Sequence, residues 1–312
     1  MLKPSQILMQ NNHDSAADFL AKNGLKAAQR KALEGDASNR RYERIITPDR
    51  SYMLMIAPPG KEDVRPFIKV DKILRNSGLH APEIIAEDPE GGFLLLEDMG
   101  DDLYSRVLSK SNNELDLYRL ALDVLEALPE TAEGIQDYTT QKLLEESLLF
   151  TDWFANDAPR EEFISILTPI LEQLDNTKKI LVLRDYHADN LIYLPNELGL
   201  SRVGLLDFQD ALLGHPAYDI VSLLEDARRD VSKETVSKLL KGRDVGFMRD
   251  YFILGAQRNL KIIGIFNRLK KRDGKENYLK FLPRVWAHLK GDLEHPVLHP
   301  LKDWMEKNNL IP

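Results

Sequence analysis

Cysteine is absent from the 312-residue sequence, which excludes disulfides, thiolate nucleophiles and cysteine-based zinc sites. No uncharged stretch approaches the roughly 18 residues of a membrane span, and the first residues lack the long apolar core of a signal peptide. A basic excess is also lacking, because 42 Lys and Arg stand against 50 Asp and Glu. Nucleic acid is bound by clustered cations. We therefore expect a cytoplasmic protein that binds neither nucleic acid nor membranes.

The overall composition is typical of a folded chain with a sizeable core. Hydrophobic residues make up 43% of the sequence and charged residues 29%, which is ordinary for a globular protein. The length suits one large domain or two lobes. We find neither an internal repeat nor a low-complexity segment, so the order of helical and strand patterns carries the prediction of the fold.

The first hundred residues have the pattern of a helix followed by strands. Capping residues at Asn12–Ser15 and a stop at Gly24 predict a first helix. A helical spacing of apolar residues from Phe67 to Leu79 predicts a second. Short apolar or alternating runs bounded by turn residues predict four strands, which are RRYERII, SYMLMIA, EIIAED and GGFLLLED.

After Gly100 the pattern is mostly helical, apart from two strand-length apolar runs, ILVL at 180–183 and VGLL at 203–206. We expect these two runs to pair as a hairpin. The predicted fold is therefore α+β and two-lobed, with a small β-rich N-terminal lobe over residues 1–98 and a larger, mostly helical lobe over residues 99–312. A fold of this kind predicts a cleft between the two lobes, and ligands usually bind in such clefts. Helical periodicity predicts helices over 103–110, 114–128, 141–156 and 161–174, and again from Ala217 to the end with a break near 241–244.

Three polar side chains follow the two apolar runs. Asp185 comes at the end of the first run, Asn190 five residues later, and Asp207 at the end of the second. A hairpin would gather all three at one end. Two hard oxygen ligands suit Mg²⁺, which prefers few protein ligands plus phosphate oxygens. The remaining carboxylate can accept the proton of an attacking hydroxyl, so the pattern predicts chemistry on a phosphorylated ligand.

The spacing D-x-x-x-x-N followed by D-F resembles the catalytic half of the protein-kinase-like superfamily. His187, the run LLDFQDA at 205–211 and GHPAYD at 214–219 resemble its aminoglycoside-phosphotransferase branch. Closer still, the chain resembles the anomeric kinases of N-acetylmuramate and N-acetylglucosamine used in cell-wall sugar recycling. That resemblance covers nearly the whole chain and implies a protein-kinase-like fold, ATP and Mg²⁺ as cofactors, and a small amino sugar as substrate. Its further motifs are GDAS-x-RRY at 35–42, APP-x-x-x-x-x-RPF at 57–67, LLLEDMG at 94–100 and QR-x-LK-x-x-GIF at 257–266.

The resemblance also implies roles for individual residues. Asp185 matches the catalytic base, and Asn190 and Asp207 match the Mg²⁺ ligands. His187 and Asp219 match residues that support the catalytic loop. On the nucleotide side, the hinge backbone bonds adenine, and the turn at 35–40 covers the phosphates with backbone N–H groups; the residues implied there are Asp36, Ser38, Arg40, Arg41, Glu97 and Met99.

The sequence departs from the kinase pattern where a strand should carry a phosphate-binding lysine. The strand SYMLMIA offers Met53 and Met55 instead, and the following helix has Asp71 but no glutamate suited to pair with such a lysine. Arginines in the preceding strand supply the nearest cations, and arginine makes bidentate phosphate contacts. Of Arg40, Arg41 and Arg44, the turn brings the first two nearer the phosphates, and the alternation of the strand slightly favours Arg41.

Candidates for the substrate side come from two helices. Glu146 and Trp153 lie on one side of the first, and an aromatic face suits the apolar side of a pyranose, although a core position is the simpler interpretation of the tryptophan. Arg258 and Lys261 form a cation pair on the second, suited to a sugar carboxylate or to the backbone of a loop. Surface charge is the alternative interpretation of that pair.

Other functions remain open at this point. An aminoglycoside kinase is disfavoured, because the C-terminal HPLKDWMEKNNLIP offers few carboxylates for a cationic drug. A nucleotide-binding pseudokinase would explain the missing lysine. A protein kinase is disfavoured, because no long activation segment separates Asp207 from Asp219. The sequence does not predict the oligomeric state.

Overall fold

A computed structural model describes residues 15–33, 39–110, 113–175 and 177–312. These residues form two compact units. The first contains the described residues up to Asp102 together with Ile192–Asp210, and the second contains Leu103–Leu191 and Ala211–Pro312. The predicted boundary between residues 98 and 99 divides the chain into two consecutive pieces, whereas the first unit also includes the later segment Ile192–Asp210.

The first unit is built on an antiparallel sheet of five strands in the order β1-β2-β3-β5-β4. The four predicted strands are confirmed. The sequence analysis missed β1, because its residues QRKA are mostly exposed at the sheet edge and show no apolar alternation. The strands are β1 (Gln29–Ala32), β2 (Arg41–Ile46), β3 (Ser51–Ile56), β4 (Ile84–Asp88) and β5 (Phe93–Glu97).

Two helices accompany this sheet. In α1, which is described over residues 15–22, Phe19 stacks on Phe93 of β5 with ring centroids 5.5 Å apart. The predicted stop at Gly24 is confirmed, because this glycine has a positive φ of 77°. In α2 (Arg65–Asn76), Phe67 packs on Phe208 with centroids 4.7 Å apart. The core between α1 and the sheet consists of Ala16, Phe19, Leu20, Ile45, Tyr52, Leu54, Ile56, Phe93 and Leu95.

The second unit is helical, as predicted. Its longest helix, α9, packs closely on α5 at Gly264, where a Cβ atom would lie 2.3 Å from the carbonyl carbon of Leu149. Only glycine fits such a close backbone approach. None of the described helices has both the length and the apolarity needed to cross a membrane. The helices are α3 (Tyr104–Leu108), α4 (Glu114–Glu126), α5 (Thr140–Trp153), α6 (Arg160–Leu171), α7 (Ala217–Leu224), α8 (Lys233–Leu240), α9 (Val245–Asp273), α10 (Leu282–Asp292) and α11 (His299–Lys307).

The predicted hairpin between the two apolar runs is wrong. The first run forms β6 (Ile180–Val182), which pairs with β9 (Leu212–Gly214), whereas the second forms β8 (Val203–Leu205), which pairs with β7 (Leu191–Tyr193). The sequence analysis missed β7 and β9, because three-residue strands are too short to show a period. Each apolar run therefore has a partner that the sequence pattern does not reveal.

Asp71 is buried in α2 with an exposed fraction of 1%, and its Oδ2 accepts no hydrogen bond from the described residues. Burial raises the pKa of its carboxyl to about 7, because Arg75 and Lys72 only partly offset the desolvation. Between about pH 4 and pH 7 the folded state then binds more protons than the unfolded state, so this carboxyl makes stability fall as the pH rises.

We predict that Asp71→Asn abolishes this loss. As the pH rises from 5 to 8, the difference in free energy of unfolding between the variant and the wild type should change by about 2–4 kcal/mol in favour of the variant. Thermal unfolding midpoints at the two pH values measure the change. Asp63→Asn is the control, because Asp63 is exposed and bonds Arg65. Parallel pH dependence in the wild type and Asp71→Asn would contradict the prediction.

Candidate active site

The loop between β6 and β7 carries Asp185 and Asn190 in a fixed arrangement. The Asn190 side-chain amide donates to the Asp185 carbonyl at 2.9 Å, and the Asp185 amide donates to the Leu183 carbonyl at 2.9 Å. Because the Asn190 NH₂ group is engaged in this bond, its Oδ1 is the atom available as a ligand. The Asp185 side chain is only partly buried, so it remains accessible to a substrate.

Asp219 braces this loop from the first turn of α7. The carboxylate is fully buried, and it accepts the backbone N–H groups of Leu183 at 2.5 Å and Arg184 at 2.8 Å. Between these bonds and Asp185, the backbone of Arg184 has a φ of 72°, a left-handed conformation that a non-glycine residue rarely adopts. Strain of this kind persists only where the surroundings impose it. Burial raises the pKa of Asp219 to about 7, and the two N–H bonds offset the desolvation only in part.

His187 is held by an arginine that the sequence analysis did not place in the site. Arg228 donates to the Nε2 atom of His187 at 3.1 Å and lies 3.6 Å from the Asp189 carboxylate. Because a guanidinium has donors only, Nε2 of His187 is the acceptor in this contact. The stretch LEDARRD around Arg228 is rich in charge, a pattern that by itself predicts a solvated surface. Only the tertiary fold reveals the contact, because 41 residues separate the two side chains.

Glu146 lies at the centre of a charged network in the second unit. Its carboxylate accepts from the Arg184 guanidinium and the Tyr138 hydroxyl, and lies 2.9 Å from Lys261 Nζ. Lys261 also donates to the Tyr218 hydroxyl at 3.3 Å. Burial would raise the pKa of Glu146, but Lys261 and Arg184 outweigh burial and hold it below its ordinary value. Glu146 is therefore an ionised carboxylate between two cations.

The structure brings two of the four candidate substrate residues together and leaves two apart. Glu146 and Lys261 are in direct contact. Arg258 is buried, with an exposed fraction of 5%, and its charge acts on Asp219 and Asp226. This position favours neutralisation of buried carboxylates over contact with a sugar. Trp153 is partly exposed at the end of α5, about 10 Å along the helix from Glu146.

Asp207 follows β8 in the first unit and also has a left-handed backbone, with a φ of 56°. Its Oδ1 accepts from Gln209 Nε2 at 3.0 Å and from Arg40 at 3.4 Å. With 45% of its side chain exposed, the carboxylate remains open to a further ligand. The sequence analysis missed Gln209, although it lies two residues from Asp207 and inside the LLDFQDA motif.

The three arginines near the start of β2 have different partners. Arg40 contacts Asp207, whereas Arg44 forms ion pairs with Asp98 at 2.7 Å and Asp101 at 2.8 Å. Arg41 lies opposite Ile56 in the pairing of β2 with β3. The contacts thus favour Arg40, and not Arg41, as the cation nearest the Asp207 carboxylate. The two other predicted phosphate-side residues, Asp36 and Ser38, lie outside the described residues.

The residues of the predicted hinge contact other residues of the first unit. The Glu97 carboxylate lies 3.2 Å from His80 Nε2 and accepts the Glu83 N–H at 3.1 Å. Met99 packs on Gly204 of β8, where a Cβ atom would lie 2.7 Å from its sulfur. The Glu97 side chain is therefore engaged within the first unit, and so is its backbone N–H, which donates to the Glu83 carbonyl at 2.8 Å.

Comparison with known proteins identifies the family. Residues 29–251 match the phosphotransferase enzyme family. The chain belongs to this family. A phosphotransferase of Caulobacter vibrioides named N-acetylmuramate/N-acetylglucosamine kinase is 36% identical, with 96% of this chain and 97% of that protein aligned. A Pseudomonas aeruginosa protein of the same name is also 36% identical, over 81% of this chain and 80% of its own length.

Solved structures establish the fold of this phosphotransferase. Choline kinase LicA from Streptococcus pneumoniae superposes with a TM-score of 0.64 at 12% identity, covering 89% of this chain and 99% of that chain. The GDP complex of aminoglycoside 2'-phosphotransferase-IIIa gives 0.62 at 15% identity, covering 90% and 98%. The predicted α+β kinase-like fold is therefore confirmed, and the family match over residues 29–251 confirms the predicted aminoglycoside-phosphotransferase branch.

We predict that Glu146→Gln destabilises the phosphotransferase by about 3 kcal/mol, because it leaves two buried cations without their carboxylate. Glu145→Gln is the matched control, since that neighbour is exposed and bonds Gln141 on the same helix. Urea or thermal unfolding of the three proteins measures the difference. Equal stability of the two variants would show that Glu146 is not needed to compensate Arg184 and Lys261.

Proposed function

We propose that the protein is a kinase that uses ATP and Mg²⁺ to phosphorylate the anomeric hydroxyl of N-acetylmuramate or N-acetylglucosamine. The observation that carries the proposal is the braced loop that presents Asp185 and Asn190, in a member of a phosphotransferase family. The choice of acceptor is supported by the names of relatives that are 36% identical. Such a kinase serves the recycling of cell-wall sugars in the cytoplasm, where ATP is available.

In this proposal Asp185 is the general base. It accepts the proton of the sugar hydroxyl as that oxygen bonds to the γ-phosphorus of ATP, while the bond from γ-phosphorus to the bridging oxygen breaks and ADP leaves. Asn190 Oδ1 and the Asp207 carboxylate are hard oxygen donors that fit Mg²⁺. The bound metal would neutralise charge on the transferring phosphates.

Arg40 supplies the cation that β3 lacks. The positions of β3 that could have carried a lysine are Met53 and Met55, so the α- and β-phosphates need another cationic partner. Arg40 has only 12% of its side chain exposed and already bonds a carboxylate of the site, Asp207. The Glu97 carbonyl and the backbone of Met99 would bond adenine, since the Glu97 N–H already donates to the Glu83 carbonyl.

The acceptor side is proposed from the second unit. Glu146 and Lys261 orient polar groups of the sugar directly or through Tyr138 and Tyr218, whose hydroxyls are 3.1 Å apart. Trp153 offers a partly exposed aromatic face for the apolar side of a pyranose.

A panel of acceptors tests the function. The protein is incubated with ATP and Mg²⁺ and with N-acetylmuramate, N-acetylglucosamine, other amino sugars or aminoglycosides, and the products are examined by phosphorus NMR. We expect a signal of a phosphate on C1 of the two N-acetyl sugars. Phosphorylation at C6, or of aminoglycosides alone, would assign a different kinase. Thermal stabilisation by ATP and Mg²⁺ without turnover on any acceptor would assign a pseudokinase.

We predict that Asp185→Asn lowers kcat by about 10²–10⁴-fold while changing the KM of ATP and of the sugar little, because a base acts mainly in the transition state. Steady-state kinetics with both substrates measure the split. Asp157→Asn, an exposed change in the same unit, is the control. Losses shared equally between kcat and both KM values would point to a structural aspartate.

We predict that Arg40→Met raises the KM of ATP by about tenfold or more, the value of a charge-assisted hydrogen bond to phosphate. The KM of the sugar should stay nearly constant. Arg41→Met is the matched control and should change the KM of ATP by less than about threefold. If Arg41→Met has the larger effect, the cation of the site is Arg41 and the contact of Arg40 with Asp207 is incidental.

A further inference from the structure

Glu62 lies in a tight turn just before α2, at an unspecified position of the motif at 57–67. Gly60 takes the positive φ of 81° that the turn requires, and the N–H groups of Lys61 and Glu62 both donate to the Pro58 carbonyl at 3.1 Å. Two prolines and two converging hydrogen bonds restrict this turn. The Glu62 carboxylate is therefore presented from a well-fixed backbone.

That carboxylate hydrogen-bonds one residue just before β2 and forms an ion pair with the next. Its Oε1 accepts the backbone N–H of Asn39 at 3.1 Å, and its Oε2 lies 3.9 Å from Nε of Arg40. The opposite end of the same guanidinium lies 3.4 Å from Asp207. Arg40 is thus set between two carboxylates, with Glu62 on the side of its Nε and Asp207 on the side of its terminal nitrogen.

The surroundings make this arrangement sensitive to the charge of Glu62. Both side chains are largely covered, Arg40 with 12% and Glu62 with 23% exposed. The Tyr42 side chain also hydrogen-bonds Arg40, and burial raises the pKa of its hydroxyl to about 12, so this further partner of the cation is neutral. An arginine has several rotatable bonds, and an ion pair on its Nε side narrows the range of its orientations, which reduces the entropy lost when its outer edge binds phosphate.

We propose that Glu62 is a positioning residue that orients Arg40 toward Asp207 and the phosphates of the nucleotide. The inference rests on the proposed function and deepens its nucleotide side. In the kinase pattern, a glutamate of the helix that follows the lysine-bearing strand pairs with the phosphate-binding cation. Here Glu62, in the turn before α2, would take that part. Asp71, the buried acid of that helix, has an Oδ2 that accepts no hydrogen bond from the described residues. Sequence reasoning did not find Glu62, because 22 residues separate it from Arg40.

The test separates this role from a merely structural one. Glu62→Gln keeps an acceptor for the Asn39 N–H but removes the charge that faces Arg40, and Glu62→Asp keeps the charge on a shorter side chain. The control is Asp63→Asn, the adjacent acid, which bonds Arg65. Each variant is measured for the KM of ATP and of the sugar, and for the affinity of Mg²⁺–ADP by calorimetry without sugar. Thermal unfolding shows whether each variant is folded.

We expect Glu62→Gln to weaken Mg²⁺–ADP binding and raise the KM of ATP by about 5–20-fold, with the KM of the sugar unchanged, and Glu62→Asp to recover part of the loss. In the double variant with Arg40→Met, the loss should not exceed that of Arg40→Met alone, because the two residues act as one unit. Asp63→Asn should stay within about twofold of the wild type.

Three results would overturn the proposal: multiplicative losses in the double variant, wild-type affinity in Glu62→Gln, or an equal loss in Asp63→Asn. If Glu62→Gln does not fold, Glu62→Asp and its double variant decide by the same criterion. Failure of the proposed function is a separate outcome. A wild-type protein that phosphorylates none of the sugars, but whose affinity for Mg²⁺–ADP still depends on Glu62 through Arg40, would retain the positioning role and lose the acceptor.

Discussion

The hydrogen bonds from the backbone of Leu183 and Arg184 to the buried Asp219 carboxylate are the constraint on which the loop between β6 and β7 depends. A left-handed arginine is unfavourable by itself, and a buried carboxylate is unfavourable by itself. Together they compensate each other, because two N–H donors satisfy the charge and the charge fixes two consecutive peptides. The fixed peptides determine the direction in which the backbone continues to Asp185. Asn190 then stabilises the following turn, because its side-chain amide donates to the Asp185 carbonyl.

The two units balance their buried charges in opposite ways. In the second unit, one carboxylate, Glu146, lies between two cations, Arg184 and Lys261. In the first unit, one cation, Arg40, lies between the carboxylates of Glu62 and Asp207. The first arrangement carries a positive excess and the second a negative one. In the proposed reaction, the positive excess suits the polar and anionic groups of the sugar, and the negative excess suits Mg²⁺.

Sequence reasoning predicted the features that depend on local periodicity or on fixed spacing. The strands β2 to β5, the long helices and the D-x-x-x-x-N spacing belong to this class. It failed for strands and contacts that depend on residues far away in the sequence. The polar edge strand β1 has no pattern of its own, and the pairing of β6 with β9 depends on which partner the rest of the unit leaves available. Arg228 and Glu62 act on His187 and Arg40 across 41 and 22 residues, and no periodicity reports such contacts.

The discontinuity of the first unit constrains how a chain of this kind can diverge by recombination. The backbone passes from one unit to the other three times, after Asp102, Leu191 and Asp210. The segment Ile192–Asp210 is linked to the rest of the first unit by a hydrogen bond from the Leu205 N–H to the His80 carbonyl at 2.8 Å. A single crossover after the first hundred residues would therefore take the sheet and Arg40 from one parent and Asp207 from the other. An intact first unit is inherited only when both breakpoints around residues 192–210 are respected as well.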